Sequence, residues 1–433
     1  MKKTLLFIAT LLASYVGMAQ ETYHPTAENL KAREQFQDEK FGIFLHWGLY
    51  SMMGTTEWIM TNRDINYKEY PKLAKTFYPS EFDADAWVKA IKAAGAKYIT
   101  ITTRHHDGFS LFKTATSTYN SVDGTPFKRD IIKEMADACQ RNGIKLHLYY
   151  SHLDWGREDY PVGRTGTGTG RPKEKANWAS YYKFMNTQLT ELLTNYGKVG
   201  AIWFDGWWDH DSDAKPFDWQ LEEQYALIHK LQPQCLIANN HHHTPFPGED
   251  IQIFERDLPG ENKAGLSGQS IGRLPLESCQ TINEHWGYNI TDTLYKSPKE
   301  LIQMLVRAAG KNANLLLNIG PEPGGALPAL ALNRLQSIGE WLNKYGETIY
   351  GTRGGIVTPH EWGVSTQRGN KLYIHILNCM DSSLFIPTGN HKIKSATVFG
   401  TNKRVNFTKT GNGITLNFDT IPTDIDYIVE LAL

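Results

Sequence analysis

The stretch VGAIWFDG, residues 199–206, is an apolar run that ends in a carboxylate and a glycine. A continuous apolar run followed by a polar turn is typical of a strand buried on both faces of a parallel sheet. Asp205 then stands at the carboxyl end of that strand, which is the end where parallel α/β barrels carry their sites. The stretch therefore predicts a parallel sheet with a polar site at one of its edges.

Similar apolar runs alternate with amphipathic helical segments on both sides of this stretch. One helix is predicted to begin at the N-cap Asp83, and another at Ser297 with a capping box. This alternation predicts a parallel sheet covered by helices, and roughly eight strand candidates favour a closed (β/α)8 barrel of the TIM type. No G-x-G-x-x-G motif follows the first run, which argues against a dinucleotide-binding sheet. The predicted strands are 41–46, 98–103, 144–150, 199–204, 235–238, 251–254 and 313–319, and further predicted helices are 130–142, 176–196, 222–231 and 327–345.

The pattern changes after the helix predicted over residues 327–345. Short alternating runs follow from about residue 351, separated by turn signals such as Gly411-Asn412-Gly413. Such runs are typical of a small antiparallel β domain, here predicted to be a sandwich. We therefore expect a barrel domain over residues 21–348, which would carry the site, and a β-sandwich over residues 349–433.

The first twenty residues have the pattern of a signal peptide. Lys2-Lys3 precede an apolar run from Thr4 to Val16, and small residues surround Ala19. This predicts cleavage near residues 19–20 and export to the periplasm or the medium. No Cys lies near that position, so the sequence does not predict a lipid anchor. No later apolar run is long enough to span a bilayer.

The composition narrows the class of partner. Lys and Arg number 45 against 46 Asp and Glu, a net charge of −1, which argues against nucleic acid or an anionic membrane as partner. Twelve Trp and 21 Tyr provide flat apolar faces with polar tips, which suit sugars, although large barrels are also rich in aromatic residues. The four Cys are scattered, and we interpret them as small buried groups.

Polar residues stand at the carboxyl ends of six predicted strands, and these ends meet at one mouth of a barrel. Several His with an Asp suit a divalent metal that activates water. A carboxylate facing a carboxylic acid roughly 5–5.5 Å away suits a retaining glycosidase. The Trp residues near these ends favour the sugar chemistry. The stretches concerned begin at His46, Arg104, Tyr149, Asp205, Asn239 and Glu255, and the Gly- and Thr-rich segment 162–175 is predicted as a loop beside them.

Over nearly the whole length after residue 20, the chain resembles the α-L-fucosidases of glycoside hydrolase family 29. The order and spacing of several motifs carry the resemblance, and the resemblance itself implies a barrel followed by a β-sandwich. The motifs are FGIFLHWG (41–48), TEW (56–58), TRHHDGF (103–109), YYS (149–151), WFDG (203–206), WGY (286–288) and NLLLNIGP (314–321).

The resemblance implies a retaining exo-acting α-L-fucosidase that needs no metal or other cofactor and whose partner is a fucosylated glycan or oligosaccharide. Asp205 matches the family's nucleophile. Glu255 is the first choice for the acid/base, by a pattern of the broad-specificity branch, with Glu261 second and Glu277 third. The residues implied to bind the sugar are His46, Glu57, Trp58, His105, His106, Tyr149, Trp203 and Trp286, and we add His241 at the fifth strand end as a further candidate.

One departure from the family and two alternative functions accompany this prediction. At the fifth strand end, His241-His242-His243 stand where many relatives carry an Arg that contacts the sugar. A metal-dependent hydrolase on the same barrel is the enzymatic alternative, and a non-catalytic fucose-binding protein is the other. The presence of both carboxylates favours an enzyme over the second alternative. The sequence sets no oligomeric state.

Overall fold

The computed structural model of the chain describes residues 23–433. The predicted signal peptide, residues 1–20, lies outside the described residues. Among those described, no helix has both the length and the apolar character needed to cross a membrane.

The first part of the chain alternates strands with helices, as the sequence predicts. Most predicted elements are found with boundaries within two residues of the expected ones. The elements are α1 Ala27–Glu39, β1 Phe41–Leu45, α2 Ile59–Asn62, α3 Ala84–Ala93, β2 Tyr98–Arg104, α4 Ile131–Asn142, β3 Lys145–Ser151, α5 Trp178–Asn195, β4 Ala201–Asp205, α6 Leu221–Leu231, β5 Leu236–Asn239, β6 Gln252–Glu255, β7 Leu276–Thr281, α7 Pro298–Gly310, β8 Ala313–Ile319 and α8 Ala329–Tyr345.

The eight strands form one parallel sheet in the order β5-β4-β3-β2-β1-β8-β7-β6. The sheet curls until its two edge strands meet, where a single bridge joins Ala238 to Ile251. The predicted (β/α)8-type barrel is therefore confirmed, with a weak seam between β5 and β6. No helix follows either of these strands before the next one begins, so loops alone cover the seam.

Local sequence signals explain where the covering helices begin. Asp83 and Asp130 accept hydrogen bonds from the backbone N–H groups of Ala86 and Lys133, and so cap α3 and α4. Ser297 begins α7 with a complete capping box, because its side chain and that of Glu300 each bond the other's backbone N–H.

The strand β7 was not among the predicted strands. Its sequence, LESCQT, lacks a continuous apolar run, although all of its residues except Gln280 are buried. Glu277 finds its partners inside the barrel, where the hydroxyl of Tyr98 and the indole N–H of Trp203 donate to it. Because a buried polar residue is stable only with such partners, the pattern of apolar residues alone does not reveal this strand.

The helix α1 closes the bottom of the barrel, opposite the predicted site. Phe36 packs into the interior cluster, with its ring centroid 5.4 Å from that of Tyr98. Arg33 forms an ion pair with the buried Asp250, which lies just before β6, with an N–O distance of 2.6 Å. The interior above is filled with large side chains, among them Phe44, Tyr149, Trp203 and Leu316.

The remainder of the chain forms two antiparallel sheets, which confirms the predicted β-sandwich. Side chains from both sheets share one apolar cluster, including Ile374 and Val429 from the first sheet and Leu416 from the second. The strands are β9 Arg353–Gly354, β10 Gly363–Arg368, β11 Lys371–Ile376, β12 Ser383–Ile386, β13 Ser395–Val398, β14 Asn406–Thr410, β15 Gly413–Asn417 and β16 Tyr427–Ala432. The first sheet has the order β13-β16-β11-β10-β9 and the second β12-β15-β14. All four Cys are free thiols, and three of them are buried.

Replacing the buried ring of α1 is expected to destabilise the barrel. Phe36→Ala should lower the free energy of unfolding by about 3–5 kcal/mol, because it leaves a cavity in the interior cluster. Leu30→Ala changes a side chain on the same helix that is 52 % exposed, and should alter the free energy by no more than about 0.5 kcal/mol. Denaturant unfolding followed by circular dichroism measures both, and equal effects would contradict the closing role of Phe36.

Candidate active site

Asp205, the last residue of β4, lies at the mouth of the barrel with both oxygens hydrogen-bonded. Its Oδ1 accepts from the backbone N–H of Gly206 at 2.8 Å and from the indole N–H of Trp208 at 3.0 Å. Its Oδ2 accepts from the hydroxyl of Tyr149 on the neighbouring β3 at 3.0 Å. The side chain is 13 % exposed, so the carboxylate is fixed in orientation and still open to the mouth.

Glu255, the last residue of β6, faces Asp205 across the seam. The amide Nδ2 of Asn240, which follows β5, lies 2.7 Å from Glu255 Oε2 and 3.5 Å from Asp205 Oδ1. These two distances limit the separation of the two oxygens to about 6 Å. The ring Nε2 of His242 lies 2.9 Å from the same Oε2. The structure thus brings the two predicted carboxyl groups together.

Burial and the neighbouring charges move the pKa values of the two carboxyl groups in opposite directions. Burial, and then the charge of Glu255, raise the pKa of Asp205 to about 6. Burial also acts to raise the pKa of Glu255, but hydrogen bonds from His242 and Asn240 and the charges of His242 and Arg256 outweigh it and hold that pKa below its usual range. In the free protein, Asp205 is therefore the first of the two to take a proton as the pH falls.

Three histidines form the floor of the mouth, and burial keeps all three neutral. It lowers the pKa of His46 to about 4 and those of His105 and His106 well below the usual value. The rings lie close together, with centroids 5.5 Å apart for His46 and His105 and 4.1 Å apart for His105 and His106. A neutral imidazole has one donor nitrogen and one acceptor nitrogen, so hydrogen-bond partners decide which nitrogen faces the mouth.

The partners of His46 and His106 fix their tautomers. Asn318 donates its Nδ2 to the carbonyl of Trp286, so its Oδ1 accepts from His46 Nδ1 at 2.6 Å. Ser151 donates its hydroxyl to the carbonyl of Leu153 and therefore accepts from His106 Nδ1 at 2.7 Å. In both rings Nε2 is left as an acceptor, and that of His106 lies 3.5 Å from Asp205 Oδ2. Such acceptors suit a ligand that carries hydroxyl groups.

A buried ion pair between the sheet and α5 supports this floor. Arg104 donates to Asp154 at 2.5 Å and to the carbonyl of Ser151 at 2.6 Å, and both charged side chains are fully buried. Ser151, which orients His106, is therefore itself held in place by Arg104. Leaving the buried charge of Arg104 without its partners would cost several kcal/mol.

Aromatic rings contact the histidine floor at the mouth. Trp58 stacks on Trp208, with centroids 5.5 Å apart, and meets the ring of His106 at right angles. Trp286 lies 5.3 Å from the ring of His46. Glu57 is buried, and its Oε2 accepts from the backbone N–H of Gly287 at 2.9 Å, which fixes the segment that carries Trp286.

Tyr149 and Trp203 form the wall of the barrel interior beneath Asp205. Their rings stack with centroids 5.6 Å apart, and Trp203 donates its indole N–H to Glu277 at 2.9 Å. Burial raises the pKa of Glu277 to about 7. The third candidate for the acid/base is therefore a buried support for Trp203, with no contact to the Asp205–Glu255 pair.

Two sequence candidates lie away from the mouth. His241, predicted to bind the sugar, points away from the carboxyl pair and bonds Glu249 at 3.0 Å, because its neighbours Asn240 and His242 point towards the pair. Glu261, the second candidate for the acid/base, bonds Lys311 at 2.9 Å. Lys311 lies between the end of α7 and the start of β8, at the bottom of the barrel.

The structure adds four side chains to the predicted site: Asn240, His242, Trp208 and Asn318. Asn240 and His242 belong to a polar run that the sequence marks as a strand end, but the spacing does not tell which of its members face inwards. Trp208 stands three residues after Asp205. Asn318 is the second-last residue of β8, between the apolar residues Leu317 and Ile319.

The segment predicted as a loop over residues 162–175 is held against the mouth by hydrogen bonds. Thr165 donates both its backbone N–H and its hydroxyl to Asp209 Oδ1. The guanidinium of Arg164 lies 5.2 Å from the ring of Trp208. Within the described part of the chain, no group of three or more His, Cys, Asp or Glu side chains is arranged to hold a metal ion.

The raised pKa of Asp205 can be measured directly. In protein labelled with 13C at the aspartate carboxyls, one resonance should titrate near pH 6 and disappear in Asp205→Asn. In Glu255→Gln this titration should move to lower pH, because the charge of Glu255 raises the pKa of Asp205. A titration near pH 4 in the unaltered protein would contradict the assigned coupling.

Comparison with known proteins agrees with this geometry. The family model described as alpha-L-fucosidase matches residues 10–347. Plasma alpha-L-fucosidase of Rattus norvegicus is 30 % identical over 408 residues, which cover 85 % of this chain and 83 % of that protein. Among solved structures, alpha-L-fucosidase isoenzyme 1 from Paenibacillus thiaminolyticus is similar with a TM-score of 0.83 and 35 % identity, covering 94 % of this chain and 99 % of that one.

A second solved structure captures a reaction intermediate. It is the GH29 alpha-L-fucosidase of Bacteroides thetaiotaomicron, trapped as a covalent intermediate in complex with 2-fluoro-fucosyl fluoride. Its TM-score to this chain is 0.81 at 27 % identity, over 95 % of this chain and 97 % of that one. The chain therefore belongs to the α-L-fucosidase family of glycoside hydrolases, family 29.

Proposed function

We propose that this enzyme is an exo-acting α-L-fucosidase that retains the anomeric configuration, with Asp205 as nucleophile and Glu255 as acid/base. The observation that carries the proposal is the amide of Asn240, which reaches both carboxyl groups and limits the separation of their nearest oxygens to about 6 Å. Retaining enzymes keep their carboxyl groups about 5–5.5 Å apart, whereas inverting enzymes need about 6.5–9.5 Å to admit a water molecule. The trapped covalent intermediate of the Bacteroides relative supports the same course.

In the first step, ionised Asp205 attacks the anomeric carbon of a terminal α-L-fucoside. A bond forms between that carbon and an Asp205 oxygen while the glycosidic bond breaks, and its electron pair goes to the departing oxygen. Glu255 donates its proton to that oxygen, so the aglycone leaves as a neutral alcohol. The product of this step is a β-linked fucosyl ester of Asp205.

In the second step, Glu255 acts as a base. It takes a proton from a water molecule, whose oxygen attacks the anomeric carbon and displaces the Asp205 carboxylate. L-Fucose is released with the α configuration, Asp205 is again ionised, and Glu255 is again protonated. Two inversions at the same carbon give overall retention.

The floor and walls of the mouth suit one terminal sugar. The Nε2 acceptors of His46 and His106 match hydroxyl donors, and His105 and Tyr149 lie against them. We propose that the rings of Trp58, Trp203 and Trp286 pack against the apolar faces and the methyl group of fucose, and that Glu57 supports the Trp286 segment. Since large side chains fill the barrel below, the sugar enters only from the mouth, which favours cleavage at chain ends.

The fucosylated substrate must also change the protonation order of the pair. Catalysis needs Asp205 ionised and Glu255 protonated, whereas the free enzyme favours a proton on Asp205. A bound glycan excludes water from Glu255, and burial favours the neutral form of a carboxyl group. We propose that this exclusion of water raises the pKa of Glu255 in the complex and moves the proton to it.

Removing each carboxyl group tests the two roles. Asp205→Gly should lose at least a thousandfold in kcat on a nitrophenyl α-L-fucoside, since the nucleophile is absent. Added azide should restore turnover and yield β-fucosyl azide, because the anion enters the space that the carboxylate leaves. NMR of the product decides its configuration, and substantial activity of this variant without azide would overturn the assignment.

A matched pair of variants separates the two candidates for the acid/base. Glu255→Gln should lose about 100-fold or more in kcat/KM on methyl α-L-fucoside, whose leaving group needs a proton. Glu261→Gln should remain within about twofold, since Glu261 bonds Lys311 at the bottom of the barrel. The reverse order would assign the acid/base to Glu261.

The alternatives raised by the sequence have less support. A non-catalytic fucose-binding protein has no need for two carboxyl groups fixed across one mouth, and the family comparisons favour a retaining hydrolase over a metal-dependent one. We also propose that the enzyme is a bacterial fucosidase of the broad-specificity branch, because the sequence around Glu255 is similar to that branch. Its proposed parts are a catalytic domain over residues 21–348 and a β-sandwich over residues 349–433.

We propose that residues 1–20 direct export and are removed afterwards. The basic start, the apolar run and Ala19 support this. Expressed from its full reading frame in a Gram-negative bacterium, the protein should be recovered from the periplasm or the medium with its first residue near position 20. N-terminal sequencing checks this, and a cytoplasmic protein beginning at Met1 would contradict it.

A further inference from the structure

His242 has a left-handed backbone conformation that accompanies its contact with Glu255. Its φ angle is +66°, in the left-handed region that side chains other than Gly rarely adopt. Residues in this region persist where the surroundings hold them, often at functional sites. The conformation turns the imidazole towards Glu255, and Nε2 lies 2.9 Å from Glu255 Oε2.

The two oxygens of Glu255 have different surroundings. Oε2 receives both His242 Nε2 and Asn240 Nδ2, at 2.9 and 2.7 Å. Among the described residues, no side chain or backbone group bonds Oε1. A carboxyl group held through one oxygen by two donors has its other oxygen free to exchange a proton with a ligand.

We propose that His242 is a positioning residue for the acid/base: its Nε2 holds Oε2 of Glu255 so that Oε1 exchanges the proton, and it sets how readily Glu255 gives up that proton. This inference rests on the proposed function.

The charges around the pair support an electrostatic role. Glu255 faces His242 on the β5 side, Asp205 on β4, Arg256 next to it in the chain, and the neutral His46 on β1. In the same run, the adjacent titratable residues are the buried His241, which bonds Glu249, and the exposed His243. Against the effect of burial, the hydrogen bond and charge of His242 are the first of the influences that lower the pKa of Glu255. Their removal is therefore expected to raise that pKa.

The same three-residue run provides matched controls. His243 is exposed, and its ring packs against Trp207 with centroids 5.1 Å apart, with no hydrogen bond to either carboxyl group. His243→Phe and His243→Gln therefore make the same chemical changes one residue away. His242→Gln retains an N–H donor but never carries a charge, whereas His242→Phe removes both.

The experiment compares kcat/KM, which reports the first half of the reaction, for two substrates over a range of pH. Methyl α-L-fucoside needs a proton on its leaving oxygen, and a nitrophenyl α-L-fucoside needs little or none. With His242→Phe, kcat/KM should fall about tenfold or more on the methyl fucoside and no more than about threefold on the nitrophenyl fucoside. His242→Gln should recover most of the loss.

The pH profile separates this role from a merely structural one. The alkaline limb of kcat on methyl α-L-fucoside reports loss of the Glu255 proton in the substrate complex, so that limb should move to higher pH in both His242 variants and further in His242→Phe. The His243 variants should keep the original profile, and melting temperatures should show that all four fold. Equal losses on both substrates, or a limb that does not move, would overturn the inference.

The two proposals fail in different ways. If Glu255→Gln keeps its activity on methyl α-L-fucoside, the assignment of the acid/base is wrong and the inference about His242 falls with it. If Glu255→Gln is inactive on that substrate but His242→Phe behaves like His243→Phe, only the inference about His242 is wrong.

Discussion

Two carboxyl groups within about 6 Å of each other repel strongly whenever both are ionised in a buried site, and the rest of the mouth is arranged around that repulsion. Donors from three strands and the loops after them hold the pair: the phenol of Tyr149, the indole of Trp208 and the amide of Asn240. The three floor histidines add no positive charge, because burial keeps them neutral. The pair therefore takes up a single proton readily. A retaining glycosidase uses this state, in which one carboxyl group is protonated and the other is ionised.

The sequence predicts the barrel well because its strands and helices carry strong local signals. Apolar runs such as residues 313–319 and caps such as Asp83 and Ser297 depend only on neighbouring residues, and the structure has them where they are predicted. The strand β7 depends instead on partners distant in the chain, since Glu277 is stable inside the barrel only because Tyr98 and Trp203 donate to it. No local pattern contains that information.

The same distinction explains which part of the site was predicted. Asp205 ends a regular strand, so its direction follows from the pleat, and the structure has it at the mouth. The run after β5 is irregular: the left-handed conformation of His242 turns that ring to Glu255, while His241 points to Glu249. Which histidine faces the site depends on one dihedral angle that residue types do not reveal. Glu261 was a candidate for a similar reason, because the course of an irregular loop cannot be read from its composition.

The seam of the barrel also affects how this enzyme can vary. The proposed nucleophile lies on β4, which pairs with β3 on one side and β5 on the other, where a change of backbone would disturb the core. The proposed acid/base lies on β6, which is joined to β5 by a single bridge and a few hydrogen bonds and whose connections on both sides are loops without helices. Residues 243–247 and 260–274 of these loops are mostly exposed, so insertions and substitutions there disturb little of the core. Under the proposed mechanism, selection can therefore reshape the half of the site that meets the leaving group, while the half that forms the covalent bond stays fixed.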